Sequence, residues 1–394
     1  MIQRSLLTSL IVATLLNVHP ALACGGFFTQ DVDSTAAMNA QQALMVVRSD
    51  RVELTLRVAA EAVDSNLVWV VPVPAVDQVT LGDPALFDDL DDLTKPQITI
   101  IDHSGGSGGG CAPCGAVLGS GDNTGGAPGS NTTVQHLGGG KVGNYEYDIL
   151  AGTSAADMVT WLADAGYVVP EGTADVLQPY ADSGMQFLWA KINTESLEDD
   201  ALILDPLRLD IPYTGPPVLT YPLTLSALSA SPITSVLIYV LANERFHVSN
   251  FSNMDIGEVV PVIEAQWNNE GVTDLEAAVD ALTAEAGGQL AITDFSMNLL
   301  EYERSDLAMF NPITDLMDDQ AQILTRLHLR VPSLALTDLV LGPVMDGEPV
   351  SNYQYASRKR QPLFLAHMGF FVLTLVGFRA FMRRRFHVNP SSDD

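Results

Sequence analysis

Runs in which apolar and polar residues alternate limit most strongly what this chain can fold into. The segment RVELTLRVA (51–59) alternates valine and leucine with polar residues, and VLTYPLTLSA (218–227) repeats the pattern. A period of two places the apolar side chains on one face of a β-strand. The segment SVLIYVLA (235–242) is apolar on both sides, which predicts a central strand. The chain is therefore expected to bury at least one face of a sheet.

Other segments extend this sheet and add helices. A β-meander is predicted over 43–74, and further strands over 289–295 and 323–331. The sum is an α+β fold with mixed, largely antiparallel sheets and a few peripheral helices, plus one C-terminal transmembrane helix. Capping residues mark three of the predicted helices. Asp83 can cap a helix over 83–93, Ser154 with Asp157 marks the start of a second helix, and Thr273 with Glu276 marks the start of another. A further helix is predicted over 173–180 from its sequence pattern.

The first 23 residues have the layout of a secretory signal peptide. Arg4 is followed by a mostly apolar stretch from Leu6 to Val18, and Ala21-Leu22-Ala23 has the small-x-small form of a cleavage site. The apolar run is too short to cross a membrane. The mature chain is therefore expected to begin at Cys24 and to fold outside the cytoplasm.

The mature body is strongly acidic. Between residues 24 and 357 it carries 11 Lys and Arg residues against 46 Asp and Glu residues, a net charge of −35. Such a field repels nucleic acid and anionic lipid headgroups. The composition therefore excludes nucleic acid as a partner and is explained by solubility or by divalent-cation binding.

A second apolar segment lies near the C-terminus. Residues 363–382 are enough to cross about 30 Å of hydrocarbon, and three arginines at 383–385 follow. The positive-inside rule keeps those arginines in the cytoplasm. The predicted organisation is a signal peptide (1–23), an extracytoplasmic domain of one or two packed lobes (24–357), a juxtamembrane segment with a single-pass transmembrane helix (358–382) and a cytoplasmic tail (383–394). A sorting tail that is cut after export is the alternative.

The chain resembles a bacterial family of exported proteins of unknown function whose mature end begins Cys-Gly-Gly-Phe-Phe. Family members often carry a second cysteine after the paired phenylalanines, where this chain has Thr29. The resemblance implies a C-terminal membrane anchor and no established reaction. It rests on these segments in order: 24–28, WVVPVP (69–74) with Leu86-Phe87, YEYDIL (145–150), WLADAGYVVP (161–170), PLRLDIPY (206–213), YPLTLSA (221–227), IYVLANERF (238–246) and LTRLHLRV (324–331).

Cysteines mark the first candidate site. Cys111 and Cys114 lie in a glycine-rich loop at 103–130 that holds 11 glycines. In an oxidising compartment the pair predicts a local disulfide; a redox pair is the alternative, although such pairs normally open a helix. Cys24 is then the odd thiol, with lipidation, a disulfide to another chain or a free state left open.

Metal sites are the second possibility. His103, Cys111, Cys114 and His136 carry zinc-ligating groups, but their spacing matches no compact zinc-finger pattern. Asp88, Asp89 and Asp92 share a face of the predicted acidic helix and could hold a hard cation such as Ca²⁺, without EF-hand spacing. Histidines in loops are common without a ligand role, and a solvated acidic face explains the aspartates better than a cation does, so no cofactor is expected, with Ca²⁺ or Zn²⁺ as the alternative.

The sequence favours a non-catalytic protein. It has no H-E-x-x-H or Walker A motif, and His247 and His328 are interpreted as packed or surface residues. The predicted function is a membrane-anchored envelope protein with a binding or structural ectodomain, in the cell membrane with its main domain periplasmic or extracellular, and an unknown envelope protein or ligand as partner. The alternative is an extracytoplasmic thiol-disulfide or metal-handling protein that uses Cys111 and Cys114.

Overall fold

The computed structural model describes residues 25–30, 37–61, 66–101, 134–152, 154–193, 201–213, 215, 218–270, 273–301 and 307–357. The predicted signal peptide, the glycine-rich loop and the predicted transmembrane segment 363–382 lie outside these residues. In the part of the chain that is described, no helix is long and apolar enough to span a membrane.

The strands are numbered in chain order. They are β1 (Gly26–Thr29), β2 (Ala37–Val47), β3 (Arg51–Glu61), β4 (Asn66–Val73), β5 (Gln78–Leu81), β6 (Gln97–Ile101), β7 (Gln135–Val142), β8 (Tyr145–Ala151), β9 (Gln186–Asn193), β10 (Ala201–Ile203), β11 (Leu207–Pro212), β12 (Leu219–Tyr221), β13 (Ala230–Ala242), β14 (Phe246–Val248), β15 (Ser252–Asp255), β16 (Leu290–Asn298), β17 (Ile323–Pro332), β18 (Leu339–Pro343) and β19 (Tyr353–Ser357).

The helices lie between the strands. They are α1 (Leu86–Thr94), α2 (Ala155–Asp164), α3 (Thr173–Asp182), α4 (Ile256–Glu270), α5 (Leu275–Glu285) and the short α6 (Asn311–Thr314), with 3₁₀ helices at Thr224–Leu228, Leu299–Glu301 and Ser333–Ala335.

The largest sheet has nine strands in the order β15-β16-β17-β13-β2-β3-β11-β5, with β10 also paired to β3. Strand β13 lies between β17 and β2, which confirms the central position that its two-sided apolar pattern predicts. A second sheet has the order β1-β4-β9-β8-β7, and two small sheets have the orders β12-β18-β14 and β19-β6.

Most neighbouring strands are antiparallel, as predicted. Parallel ladders join β13 to β2, β15 to β16 and β19 to β6, and the other ladders within the described ranges are antiparallel. The mixed, largely antiparallel α+β class with few helices is therefore confirmed.

The main core lies between the two larger sheets. Alternate residues of β3, β13 and β17 meet those of β4 and β9, and buried side chains of the three-stranded sheet join them. Burial of apolar surface at about 25 cal/mol per Å² makes this layer the largest stabilising contribution. Its members include Leu54, Leu56, Trp69, Val71, Leu188, Ala190, Val236, Ile238, Leu327, Leu329, Tyr221 and Phe246.

Helices cover the outer faces of both sheets. Helices α2 and α3 pack on the five-stranded sheet through Met158, Leu162 and Leu177. Helix α1 packs on the nine-stranded sheet through Phe87 and Leu90, and α4 and α5 cover its β16 end. Ser154 accepts from the amide of Asp157 at 3.3 Å, so the predicted cap of α2 is confirmed.

Four local predictions were wrong. Helix α1 begins at Leu86 with Ala85 at its N-cap position, and Asp83 instead accepts from the Ala85 amide at 2.9 Å. The meander over 43–74 divides, because β4 leaves its neighbours to pair with β9 and β1 in the other sheet. The alternating segment 218–227 is a strand only to Tyr221, since Pro222 has no amide to continue the ladder and a 3₁₀ helix follows. Asp274 rather than Thr273 caps α5 by accepting from the amide of Ala277 at 3.0 Å.

Candidate functional site

The predicted cysteine and zinc sites fall largely outside the described residues. Cys24, His103, Cys111 and Cys114 all do, so their disulfide, lipid and metal roles stay predictions. His136 is on β7, where its Nε2 lies 2.7 Å from the Asp148 Oδ1 on β8 and its side chain is 59 % exposed. Its described partner is thus a carboxylate on the neighbouring strand.

The predicted cation-binding acids lie on helix α1. The carboxylate of Asp88 lies 2.9 Å from Arg57 Nη1 and that of Asp92 lies 2.7 Å from Lys95 Nζ. Burial, together with the neighbouring carboxylates of Asp83, Asp88 and Asp92, raises the pKa of Asp89. Among the described residues no group of three or more His, Cys, Asp or Glu side chains is placed to hold a metal ion. Calcium binding here stays a prediction.

The N-terminal motif builds an edge strand of the five-stranded sheet. Strand β1 pairs antiparallel with β4, so that Phe27 lies opposite Trp69 and Phe28 opposite Val68. Because side chains alternate along a strand, Phe27 enters the core between the sheets and Phe28 enters the layer under α2 and α3. The two phenylalanines therefore attach this strand to both layers at once.

Gly25 is required by the close approach of this segment to β4. A Cβ atom at Gly25 would lie 2.1 Å from the carbonyl oxygen of Val70 and 2.5 Å from Trp69 Nε1. The Ser226 hydroxyl donates to the Gly25 carbonyl at 3.0 Å, and the Phe27 amide donates to Ser229 Oγ at 3.2 Å. The Gly-Gly-Phe-Phe motif is thus explained by packing.

The most unusual charged cluster lies on the helix-covered face of the nine-stranded sheet. Leu327 and Leu329 of β17 point into the main core, so Arg326, His328 and Arg330 share the opposite face. We call these three residues the basic row. Arg326 is 6 % exposed and His328 is 8 % exposed, which is rare for ionisable residues unless they are paired.

Asp294 supplies a buried carboxylate beside the basic row. It lies at an irregularity of β16, where the register with β17 shifts between Thr293 and Phe295, and such bulges re-aim side chains. Its Oδ2 lies 3.1 Å from Arg326 Nε and 3.8 Å from His328 Nδ1. The atoms approach without hydrogen-bond alignment, since neither oxygen has a hydrogen-bond partner within the described residues.

Side chains of helices α1 and α5 bind the two arginines of the basic row. Arg326 Nη1 donates to Asp91 Oδ1 of α1 at 2.7 Å and to Thr94 Oγ1 at 3.3 Å. Arg330 makes a bidentate pair with Asp280 of α5, with Nε at 2.5 Å from Oδ1 and Nη2 at 3.0 Å from Oδ2. The row therefore connects the sheet to α1 at one end and to α5 at the other.

Burial within this cluster shifts the pKa values of Asp294 and His328. Burial raises the pKa of Asp294 to about 7, against the opposing effect of Arg326. Burial and the charges of Arg326 and Arg330 lower the pKa of His328 to about 3. Near neutral pH the imidazole is therefore uncharged, and the Asp294 carboxyl exchanges a proton in that range.

The sequence analysis missed Asp294 and the role of Arg326. It interpreted His328 as a packed or surface residue, and the structure shows that His328 is packed. The available signal was Asp294 itself, the one acid within the run LAITDFSM (290–297). A charged residue inside a buried strand requires a partner. The partners Arg326 and His328 recur at alternate positions of β17, but only the fold shows that they face Asp294.

A comparison with known protein families gives a match to most of the chain. Residues 18–340 match the family described as "Uncharacterized protein conserved in bacteria" (DUF2330). No curated protein and no solved structure matches the chain.

Proposed function

Because the chain belongs to this bacterial family of uncharacterised proteins, we propose that it is an envelope protein with a non-catalytic binding or structural ectodomain. The leader at 1–23 exports it, and the segment 363–382 tethers it in the cell membrane. The sheet-rich body then lies in the periplasm or outside the cell.

The first strand of the described residues carries this proposal. Strand β1 starts at Gly26, and its phenylalanines Phe27 and Phe28 are only 4 % and 2 % exposed. The predicted cleavage between Ala23 and Cys24 stops just short of this strand and removes none of its residues. An exported precursor requires a cleavage site that spares the folded body.

The position of the last strand supports the tether. Strand β19 ends at Ser357, and the basic triplet Arg358-Lys359-Arg360 follows directly, with the apolar segment beginning at Leu363. Strand β19 therefore lies only five residues from the proposed anchor, which suits a body that is held directly at the membrane.

The basic row supports a structural use of the buried charges. Arg326 and Arg330 each join the sheet to a different helix, and Asp294 is fully buried between β16 and β17. Buried pairs of this kind fix how layers assemble when each charge has a partner. The cluster is thus accounted for by the assembly of the body.

The proposal is tested with the full chain expressed in a bacterium. We expect N-terminal sequencing of the membrane fraction to begin at Cys24 and protease added outside the cytoplasm to digest the body. The association should resist carbonate extraction, and deletion of 363–382 should release a folded, soluble body. Recovery of the chain in the cytosol with its leader attached would overturn the proposal.

A double serine variant separates this function from thiol chemistry. C111S/C114S should fold, localise and support any cellular phenotype of a deletion strain as the wild type does, because a disulfide would close only a very small loop. If the variant remains folded and exported but fails to complement, the thiol-disulfide alternative replaces the non-catalytic proposal.

A further inference from the structure

The two-stranded sheet of β6 and β19 has one covered and one open face. Along β6 the odd-numbered residues from 97 to 101 are exposed, and along β19 the odd-numbered residues from 353 to 357 are exposed. Ala356 is fully buried, and Ile98 packs against the cluster formed with α4. We call the open side the tyrosine face; it consists of Gln97, Thr99, Ile101, Tyr353, Tyr355 and Ser357.

The tyrosine face is uncharged although the body carries a net charge of −35 between residues 24 and 357. Neither 97–101 nor 353–357 contains an acidic or basic residue. Tyr353 and Tyr355 are 56 % and 65 % exposed, and Ile101 is 38 % exposed. The face is thus a part of the acidic body that an anionic surface would not repel.

The pairing of these strands indicates that the open face is covered in the assembled protein. The register is parallel, with Tyr353 beside Gln97 and Tyr355 beside Thr99. Parallel sheets occur almost only with both faces buried. Here α4 covers one face, and Glu264 of that helix accepts from the Ser357 amide at 2.6 Å. Among the described residues, no element covers the second face.

The proposed membrane anchor lies close to β19 in the sequence. Five residues, and therefore six Cα–Cα steps, separate Ser357 from Leu363, the first residue of the proposed anchor. A fully extended chain covers at most about 3.6 Å per residue, so Ser357 lies within about 22 Å of the hydrocarbon. The headgroup layer occupies roughly 5–7 Å of that distance. The proposed anchor therefore holds strand β19 close to the membrane.

We propose that the tyrosine face rests on the headgroup region of the membrane that holds the anchor. Tyrosine favours this region because its ring is apolar and its hydroxyl is polar. The basic triplet Arg358-Lys359-Arg360 adds attraction to lipid phosphates at the same end. This inference rests on the proposed membrane tether and adds the orientation of the body relative to the bilayer.

The test places a tryptophan on the face and measures contact with lipid. The full mature chain is reconstituted in phosphatidylcholine vesicles whose acyl chains carry bromine, which quenches tryptophan fluorescence at short range. The variant is Tyr355→Trp, compared with the wild type so that the four native tryptophans cancel. The matched control is Leu334→Trp, which replaces a fully exposed leucine outside the face.

We expect bromolipid to cause loss of the added fluorescence in Y355W, more strongly from bromine high in the acyl chain than from bromine near its end. The control should lose none. If both variants sediment with the vesicles and resist carbonate but Y355W is not quenched, the lipid contact is overturned while the tether stands. The face would then be covered by a second copy or by residues 102–133.

Failure of the tether gives a different result. If neither variant remains with the vesicles after carbonate treatment, the proposed function fails and this inference fails with it. A second variant, Y353S/Y355S, tests the contact without added tryptophan. Because both side chains are exposed, it should fold and remain anchored, while protease should cut residues 358–362 faster than in the wild type; an unchanged rate contradicts the contact.

Discussion

Arg326 on β17 donates to Asp91 on α1 over 2.7 Å, although 235 positions separate the two residues in the sequence. The same guanidinium lies 3.1 Å from the buried Asp294. One side chain thus joins a helix from the first third of the chain to two strands near its end. Its removal leaves a carboxylate inside the protein without its nearest cation.

The first prediction concerns Arg326→Met. The methionine keeps the apolar stem but leaves Asp294 without its cation, and breaking a buried pair costs about 3–5 kcal/mol. Urea denaturation above pH 7, where the Asp294 carboxyl of the wild type is ionised, should show this decrease in the free energy of unfolding. Lys95→Gln, which breaks an exposed pair with Asp92, should cost less than about 1 kcal/mol. Equal effects of the two substitutions would contradict the role of Arg326.

The double variant R326M/D294N tests the same pair. If the cost of R326M comes from the uncompensated carboxylate, replacing that carboxylate by an amide should recover part of the lost stability. The two substitutions are therefore expected to be non-additive. A double variant whose loss equals the sum of the single losses would show that Arg326 acts through Asp91 alone.

The second prediction concerns Gly25→Ala. The new methyl group would meet the Val70 carbonyl oxygen at 2.1 Å, and backbone cannot move aside as a flexible side chain can. Overpacking of this kind typically costs 1–3 kcal/mol, so we expect a loss of about that size. Gly138→Ala is the control, because a Cβ atom there has no neighbour within 4 Å. Thermal denaturation of both variants measures the difference.

The third prediction concerns His328→Gln and acid. The pKa of His328 is about 3 in the folded protein and 6.5 unperturbed. A lowered pKa means that the unfolded chain binds the proton first, so the neutral ring contributes stability above pH 6.5 that is lost toward pH 3. The stability of the wild type should fall relative to H328Q over this range, by at most about 1.4 kcal/mol per pH unit. If the stability of the wild type and that of H328Q changed equally with pH, the lowered pKa of His328 would be refuted.

The fourth prediction concerns Asp294→Asn, for which the stability depends on pH in the opposite direction from that given for His328. The pKa of Asp294 is raised from 3.8 to about 7, so the folded protein holds this proton more tightly than the unfolded chain does. Its contribution is complete below pH 3.8 and is lost as the pH rises through 7. Relative to D294N, the wild type should lose stability between pH 4 and 7, by at most about 1.4 kcal/mol per pH unit. Urea denaturation across this range measures it.

Much of the fold could be predicted because local patterns and burial agree. Strand β3 alternates as its burial requires, with Leu54 and Leu56 in the core, and Ser154 caps α2 as its sequence indicates. In these elements the residues within a short window determine both the conformation and the buried face.

The rest depends on contacts between distant segments. Strand β4 is apolar on both faces, and such a strand does not reveal which sheet it joins. Helix α4 was not predicted, since Pro261 lies inside it and obscures the helical pattern. The candidate site could not be predicted because Asp294 and Arg326 meet through the irregular register of β16 and β17.

The parallel register of β6 and β19 has one more consequence. Ile101 lies opposite Ser357, so the strands finish side by side, about 4.8 Å apart. The glycine-rich segment with Cys111 and Cys114 starts from one strand end, and the C-terminal segment starts from the other. The pairing of β6 with β19 therefore fixes where both segments begin. A register shift of one residue would move the start of the loop that carries Cys111 and Cys114 relative to the start of the C-terminal segment.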